Sequence, residues 1–368
     1  MIRPNQKAGA ENLLFNCAGL SSGDHLLVLR EDPDYAYYDS EIADVIVECA
    51  RQNGVRASVQ TIPFDPMEAR LPQSVVAEMK AADRTLFLSR TGDQLRFNPE
   101  ITNIRPIMSY ALDVEMLGSG FGSADYAGFV ALKNAVNTAL ADATHIHVTC
   151  PLGTDFCGPG AAFPTASAAD VSVTRFPMSV FAPVPSAGFS GVVIQDGFLV
   201  GTGSKFYEPY GCDLQEPLAV AFEDNRLTGF SGHPMDVHCA QMHYEKVGQM
   251  FDLDPMTMHS WHAGIHPGCA YPTPAHENYE RWSGSAFGNP RLMHFHTCGN
   301  YAPGEICLNV LDPTIRVDGV AVWEHGVFRP ELIEGGSDIL EAYPSIRAVF
   351  DAPAQQVGQG PNGRLSAG

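Results

Sequence analysis

The first half of the chain alternates short apolar runs with stretches of helical periodicity, and few folds accept that rhythm. HLLVLR (His25–Arg30) reads as a buried strand, and residues 40–52 carry apolar side chains at helical spacing up to the stop at Asn53-Gly54. The pattern then repeats: 57–62 alternates like a strand, 73–82 has helical spacing, TLFLS (Thr85–Ser89) is a strand, 129–141 a helix and 144–149 a strand. Strands running the same way need crossovers, normally helices, so the alternation predicts an α/β domain with a mostly parallel sheet over residues 1–143.

Beyond that point the pattern changes. Residues 191–194, 198–200, 218–222, 306–311, 315–317 and 320–323 read as short strands separated by Gly or Asp turns, and 238–251 reads as the one prominent helix. This predicts an α+β catalytic domain rich in antiparallel strands over residues 144–354. A chain of 368 residues accommodates two such domains. QQVGQGPNGRLSAG, residues 355–368, is polar and Gly-rich, and its composition predicts a disordered tail.

Charge narrows the partners. Lys and Arg number 22 against 42 Asp and Glu, a formal charge of -20, so the long-range field repels polyanions. Nucleic acid and anionic membrane are therefore poor expected partners. MIRPNQKAGAENLLF lacks the apolar core of a signal peptide, and no apolar run is long enough to span a bilayer, so the expected location is cytoplasmic. The nine cysteines stand singly with no CxxC pair, which fits free thiols. No GxGxxG follows the first strand, HExxH and SxxK are absent, and Cys157 in DFCGPG reads as packing.

The histidines are concentrated: nine of the 13 lie between His233 and His296. In MHFHTCG, His294 and His296 are two apart, so an extended backbone presents both imidazoles on one face, a spacing that suits chelation of Fe, Zn or Mn. The alternative is a half-buried strand with two hydrogen-bonded histidines. In WHAGIHPG, Gly264 and Pro267 argue against a helix, and a loop here would expose His262 and His266 in a cleft. In EICLNVLDPTIRVDG, Glu305, Cys307 and Asn309 share one strand face. They either line a pocket facing the histidines or sit by chance on a hairpin turning at Asp312-Pro313. His233, His238 and His243 are five apart, which matches neither helix nor strand, so they read as surface or capping residues.

The order of four segments resembles a known superfamily: HIHVTCPLGTDF (His145–Phe156), FPMSVFAPVPSAGFSGVVI (Phe176–Ile194), WHAGIHPG (Trp261–Gly268) and ICLNVLDPTIRVDGVAVWEHG (Ile306–Gly326). It is similar to the superfamily that unites the M29 metalloaminopeptidases with 2,5-dihydroxypyridine 5,6-dioxygenase. The resemblance implies an α/β domain followed by an α+β domain that carries the metal cleft, and symmetric homo-oligomers. In the peptidases the FP segment carries a ligand Glu, and here Met178-Ser179-Val180 stands in its place. In both branches a late strand carries His-x-Asp as ligands, and here Cys307-Leu308-Asn309 occupies it.

The dioxygenase branch holds one Fe(II), with a His from the segment matching WHAGIHPG. The resemblance therefore implies His262 as a ligand; the other two family ligands do not carry over, and His294 and His296, one strand before Cys307 and expected beside it in an antiparallel hairpin, are the residues that could replace them. Glu305, Cys307 and Asn309 become the catalytic candidates, with Glu305 or Cys307 moving a proton. Arg175, Ser179 and His266 become the substrate-binding candidates. The implied reaction is ring cleavage of a hydroxylated aromatic or pyridine-like substrate. The alternative is a hydrolase of amides, lactams or peptides, with Zn at the histidines or with Cys307 as a metal-free nucleophile. A third class is a binding protein that has kept the fold and lost the catalytic ligands.

Overall fold

The computed structural model describes residues 2–366 except 69, 97, 99, 100, 102, 162–172, 202–206, 301 and 302. The chain forms two units, the first from Met1–Val130, Asp170–Met178 and Tyr343–Ala352, the second from Ala131–Ala169, Ser179–Ala342 and Pro353–Gly368.

The first unit holds a wholly parallel five-stranded sheet in the order Arg56–Thr61, His25–Arg30, Arg84–Leu88, Ile107–Ser109, Thr174–Phe176. Leu26 to Leu29 are buried in succession, as expected for a strand covered on both faces. The helix Glu41–Gln52 buries Ile42, Ile46, Val47, Cys49 and Ala50 and ends where Gly54 takes a positive φ. The last two strands have three residues each, too few to show a period, and the fifth comes from a segment far beyond residue 143.

The second unit contains two antiparallel sheets. Six strands run in the order Gly211–Asp213, Phe198–Val200, Glu305–Leu311, Leu292–Cys298, Met258–Ala263, Val184–Pro185. Eight run in the order Arg226–Ser231, Leu218–Glu223, Ser190–Gln195, Asp155–Gly158, Ile146–Thr149, Thr314–Val317, Val320–Glu324, Val327–Phe328. Aromatic rings join the sheets: Phe156 of the eight-stranded sheet meets Phe295 of the six-stranded one edge to face, with centroids 5.4 Å apart. Trp261 packs on Phe189, and Trp261 and Trp323 are fully buried. Burying side chains of this size contributes about 1.5–3 kcal/mol or more each, so this layer is the core that fixes the sheet beneath the histidines.

Several expectations need correction. Asp312-Pro313 is not a hairpin turn: Glu305–Leu311 lies in the six-stranded sheet and Thr314–Val317 in the eight-stranded one, so the turn carries the chain between sheets. An Arg291–Asp312 ion pair at 2.6 Å braces this corner. His243 is not a surface residue. The helix runs Pro234–Phe251, and its third turn points His243 inward, 5% exposed and 5.9 Å from the Tyr207 ring.

Residues of the 355–366 segment make contacts with the rest of the second unit. Val357 and Leu365 are fully buried, the Val357 carbonyl accepts from Trp282 Nε1 at 2.8 Å, and Asp196 holds the Arg364 guanidinium. Among the described residues, no helix is long and apolar enough to cross a membrane.

Candidate metal centre

Three neighbouring strands of the six-stranded sheet bring the candidate residues onto one face. Pairing is in register across them: His262 is opposite His294, which is opposite Asn309. One row along, Ser260 is opposite His296, which is opposite Cys307, and in the next row Cys298 is opposite Glu305. Alternate residues share a face, so His262, His294, His296, Glu305, Cys307 and Asn309 all project the same way. Trp261 and Phe295 point into the core instead.

The three imidazoles converge. Ring centroids are 3.8 Å apart for His262 and His294, 5.0 Å for His262 and His296, and 5.1 Å for His294 and His296. One ring nitrogen from each can be chosen so that all three lie within 4.8 Å of one another, and all three residues are buried. His262 Nδ1 lies 3.3 Å from the Phe181 carbonyl oxygen. With the proton on Nδ1 donated to that carbonyl, Nε2 is the atom left to ligate.

His296 Nδ1 and Glu305 Oε1 are in close contact, in the diagonal arrangement that antiparallel strands allow. His296 Nε2 has no hydrogen-bond partner among the described residues. A carboxylate on one imidazole nitrogen with the other left open is the usual support for a ligand histidine. His294 is held by stacking, its ring 4.0 Å from Phe287 with planes 17° apart. Phe287 in turn packs on Trp282, giving the histidine face an apolar cover.

Three buried imidazoles whose nitrogens gather in one place are a donor set that fits a divalent transition metal such as Fe, Zn, Cu or Ni. Sequence spacing nominates His294 and His296, and the family resemblance nominates His262.

The other candidates are distributed differently. Cys307 is fully buried; its thiol lies 3.5 Å from Asn309 Oδ1 and 3.7 Å from the Leu308 carbonyl, donating to both. Burial, and secondarily the Glu305 carboxylate, hold this thiol well above its usual pKa. A metal-free hydrolase would need a thiolate here, and the surroundings oppose it. Asn309 accepts on Oδ1 from Cys307, and its backbone N–H donates to Gln195 Oε1 at 2.5 Å.

His266 is not displayed in a cleft. It is wholly buried in its own turn, where Nδ1 accepts from the Gly268 N–H at 3.2 Å. His262 likewise lies on a strand rather than an exposed loop. Ser179 is buried, its carbonyl accepting from the Ile265 N–H at 2.9 Å, so it braces the chain just after His262. Arg175 belongs to the first unit, on the strand Thr174–Phe176, where its charge acts on Tyr110. Among the aromatic residues near this sheet, Trp261, Trp282 and Phe295 are fully buried.

Phe181 and Phe287 were missed in the sequence. Phe181 acts through its backbone carbonyl from 81 positions away, and Phe287 sits in a three-residue 3-10 turn with no period to read. Gly264 explains how Phe287 comes so close: a Cβ there would overlap the Asn289 and Gly288 carbonyl oxygens, so only glycine lets the two segments touch.

No family model matches the chain, and no curated protein matches it. Among solved structures, 2,5-dihydroxypyridine dioxygenase from Pseudomonas putida KT2440 aligns with 14% identity and a TM-score of 0.59, covering 89% of this chain and 98% of that one. AmpT from Thermus thermophilus aligns with 12% identity and a TM-score of 0.46, covering 84% of this chain and 94% of that one. The first likeness shows that the protein has the fold implied by the order of its motifs: an α/β unit with an antiparallel-rich partner.

Proposed function

We propose that the protein is a small-molecule enzyme that cleaves a hydroxylated aromatic or pyridine-like ring with dioxygen, using one metal ion held by His262, His294 and His296. The observation that carries this reading is the convergence of those three buried imidazoles on one sheet face. The fold shared with the Pseudomonas putida dioxygenase supports the oxygenase branch.

A ferrous ion bound there supplies the one-electron reactivity that lets dioxygen combine with a closed-shell ring. The chain's own groups prepare the place. The Phe181 carbonyl and the Glu305 carboxylate fix the orientation of His262 and His296, so neither ring must reorganise when a ligand arrives. Phe287 and Trp282 exclude water from above His294, which strengthens every polar contact beneath them. Glu305 is the group placed to hold a proton, at Oε1 against His296 Nδ1.

The test is oxygen consumption. Protein loaded anaerobically with ferrous ion is mixed with a panel of dihydroxypyridines and catechols in an oxygen electrode. The expected result is one O2 consumed per ring lost, with no added reductant. Turnover of an amide or peptide without oxygen and in the presence of a chelator would contradict it and favour the hydrolase.

A further inference from the structure

We infer that Asn309 is a specificity-determining residue whose amide donates a hydrogen bond to an ionised oxygen on the substrate ring, so that the site selects phenolate-type anions over neutral arenes. This rests on the metal reading above and deepens it. Asn309 is 1% exposed and stands directly across the strand pair from His294. Its backbone N–H donates to Gln195 Oε1, and its Oδ1 accepts from the Cys307 thiol at 3.5 Å. The thiol thereby sets which way the amide is turned. Nδ2 has no hydrogen-bond partner among the described residues.

A buried donor left unpaired is costly, and one beside a ligand set is the kind of group a ligand satisfies. Its chemistry specifies the partner. Nδ2 only donates, so it takes an acceptor oxygen. The three imidazoles contribute no negative charge of their own, so a bound divalent ion keeps an attraction for an anion. Donor and cation together favour an ionised ring oxygen, and a substrate without one would leave the amide unpaired.

The experiment uses the full chain loaded with Co(II) under anaerobic conditions, so that binding is read without turnover. Two probes are titrated by absorbance: 4-nitrocatechol, which carries an ionisable ring oxygen, and 1,2-dimethoxy-4-nitrobenzene, which does not. Wild type is compared with Asn309→Leu, which removes the donor, and Asn309→Asp, which replaces it with a negative acceptor. Circular dichroism and bound Co(II) are measured on each.

Both variants should bind 4-nitrocatechol about tenfold or more weakly, while the dimethoxy probe changes by less than about threefold. Unchanged 4-nitrocatechol binding in a variant that is folded and retains Co(II), or equal weakening of both probes, overturns the assignment of Asn309 alone. Failure of wild type to bind Co(II) overturns the metal reading and this inference together.

Discussion

His262 and His294 stand directly opposite each other on adjacent antiparallel strands, with ring centroids 3.8 Å apart. Two imidazoles this close in a dry setting repel if both are charged, and share a cation well if both are neutral. His262→Ala should therefore lower metal affinity more than about a hundredfold, a larger loss than a supporting group gives. Calorimetric titration with Zn(II) or Fe(II) measures it. Unchanged metal binding with a large loss of stability would mean that His262 is a core residue.

On the proposed reading, Glu305 supports a ligand histidine and does not itself bind the metal. Glu305→Gln keeps the shape and removes the charge that faces His296 Nδ1. Metal affinity should fall about 10- to 100-fold with the fold intact. A loss as complete as that of His262→Ala would make the carboxylate a direct ligand instead.

His243 gives the protein a pH dependence unrelated to the metal. Burial, helped by Lys246, lowers its pKa from 6.5 to about 4. Between those values the unfolded chain binds more protons than the folded one, so stability falls as the pH drops from about 6.5 to about 4. Integrated over that window the loss is about 3 kcal/mol. Urea titrations at pH 7 and pH 4.5 should show a smaller difference in His243→Gln than in wild type; an equal difference would assign the effect elsewhere.

The tail supplies a stability prediction. Deleting residues 355–368 removes the fully buried Val357 and Leu365, the acceptor for Trp282 Nε1 and the partner of Asp196. Each apolar anchor contributes about 1.5–3 kcal/mol, so the truncated chain should be destabilised by several kcal/mol and cut faster by protease. A truncated chain that melts with wild type would refute that.

Much of this was legible in the sequence, for identifiable reasons. His294 and His296 could be placed side by side because strand geometry has a period of two that no tertiary contact changes. The same rule aligned Glu305, Cys307 and Asn309. The sequence did not show that His262 lies on the next strand of the same sheet, opposite His294, because register between strands is set by the core behind them. His262 was read as a loop residue since Gly264 and Pro267 signal irregular backbone, and that irregularity begins just after the strand ends at Ala263. His243 was misread because a spacing of five hides the fact that two helix faces are involved. Phe181 and Phe287 carry no local signal: one works through a backbone carbonyl and the other through a close approach permitted by glycine.

The central claim is that the imidazoles of His262, His294 and His296 grip one metal ion. An anomalous-difference map, from crystals grown after anaerobic iron loading and measured on both sides of the iron absorption edge, tests it most directly. The account predicts a single strong peak among those three rings that vanishes below the edge. A map with no peak there, or with iron bound only at other residues of an otherwise intact fold, would contradict it.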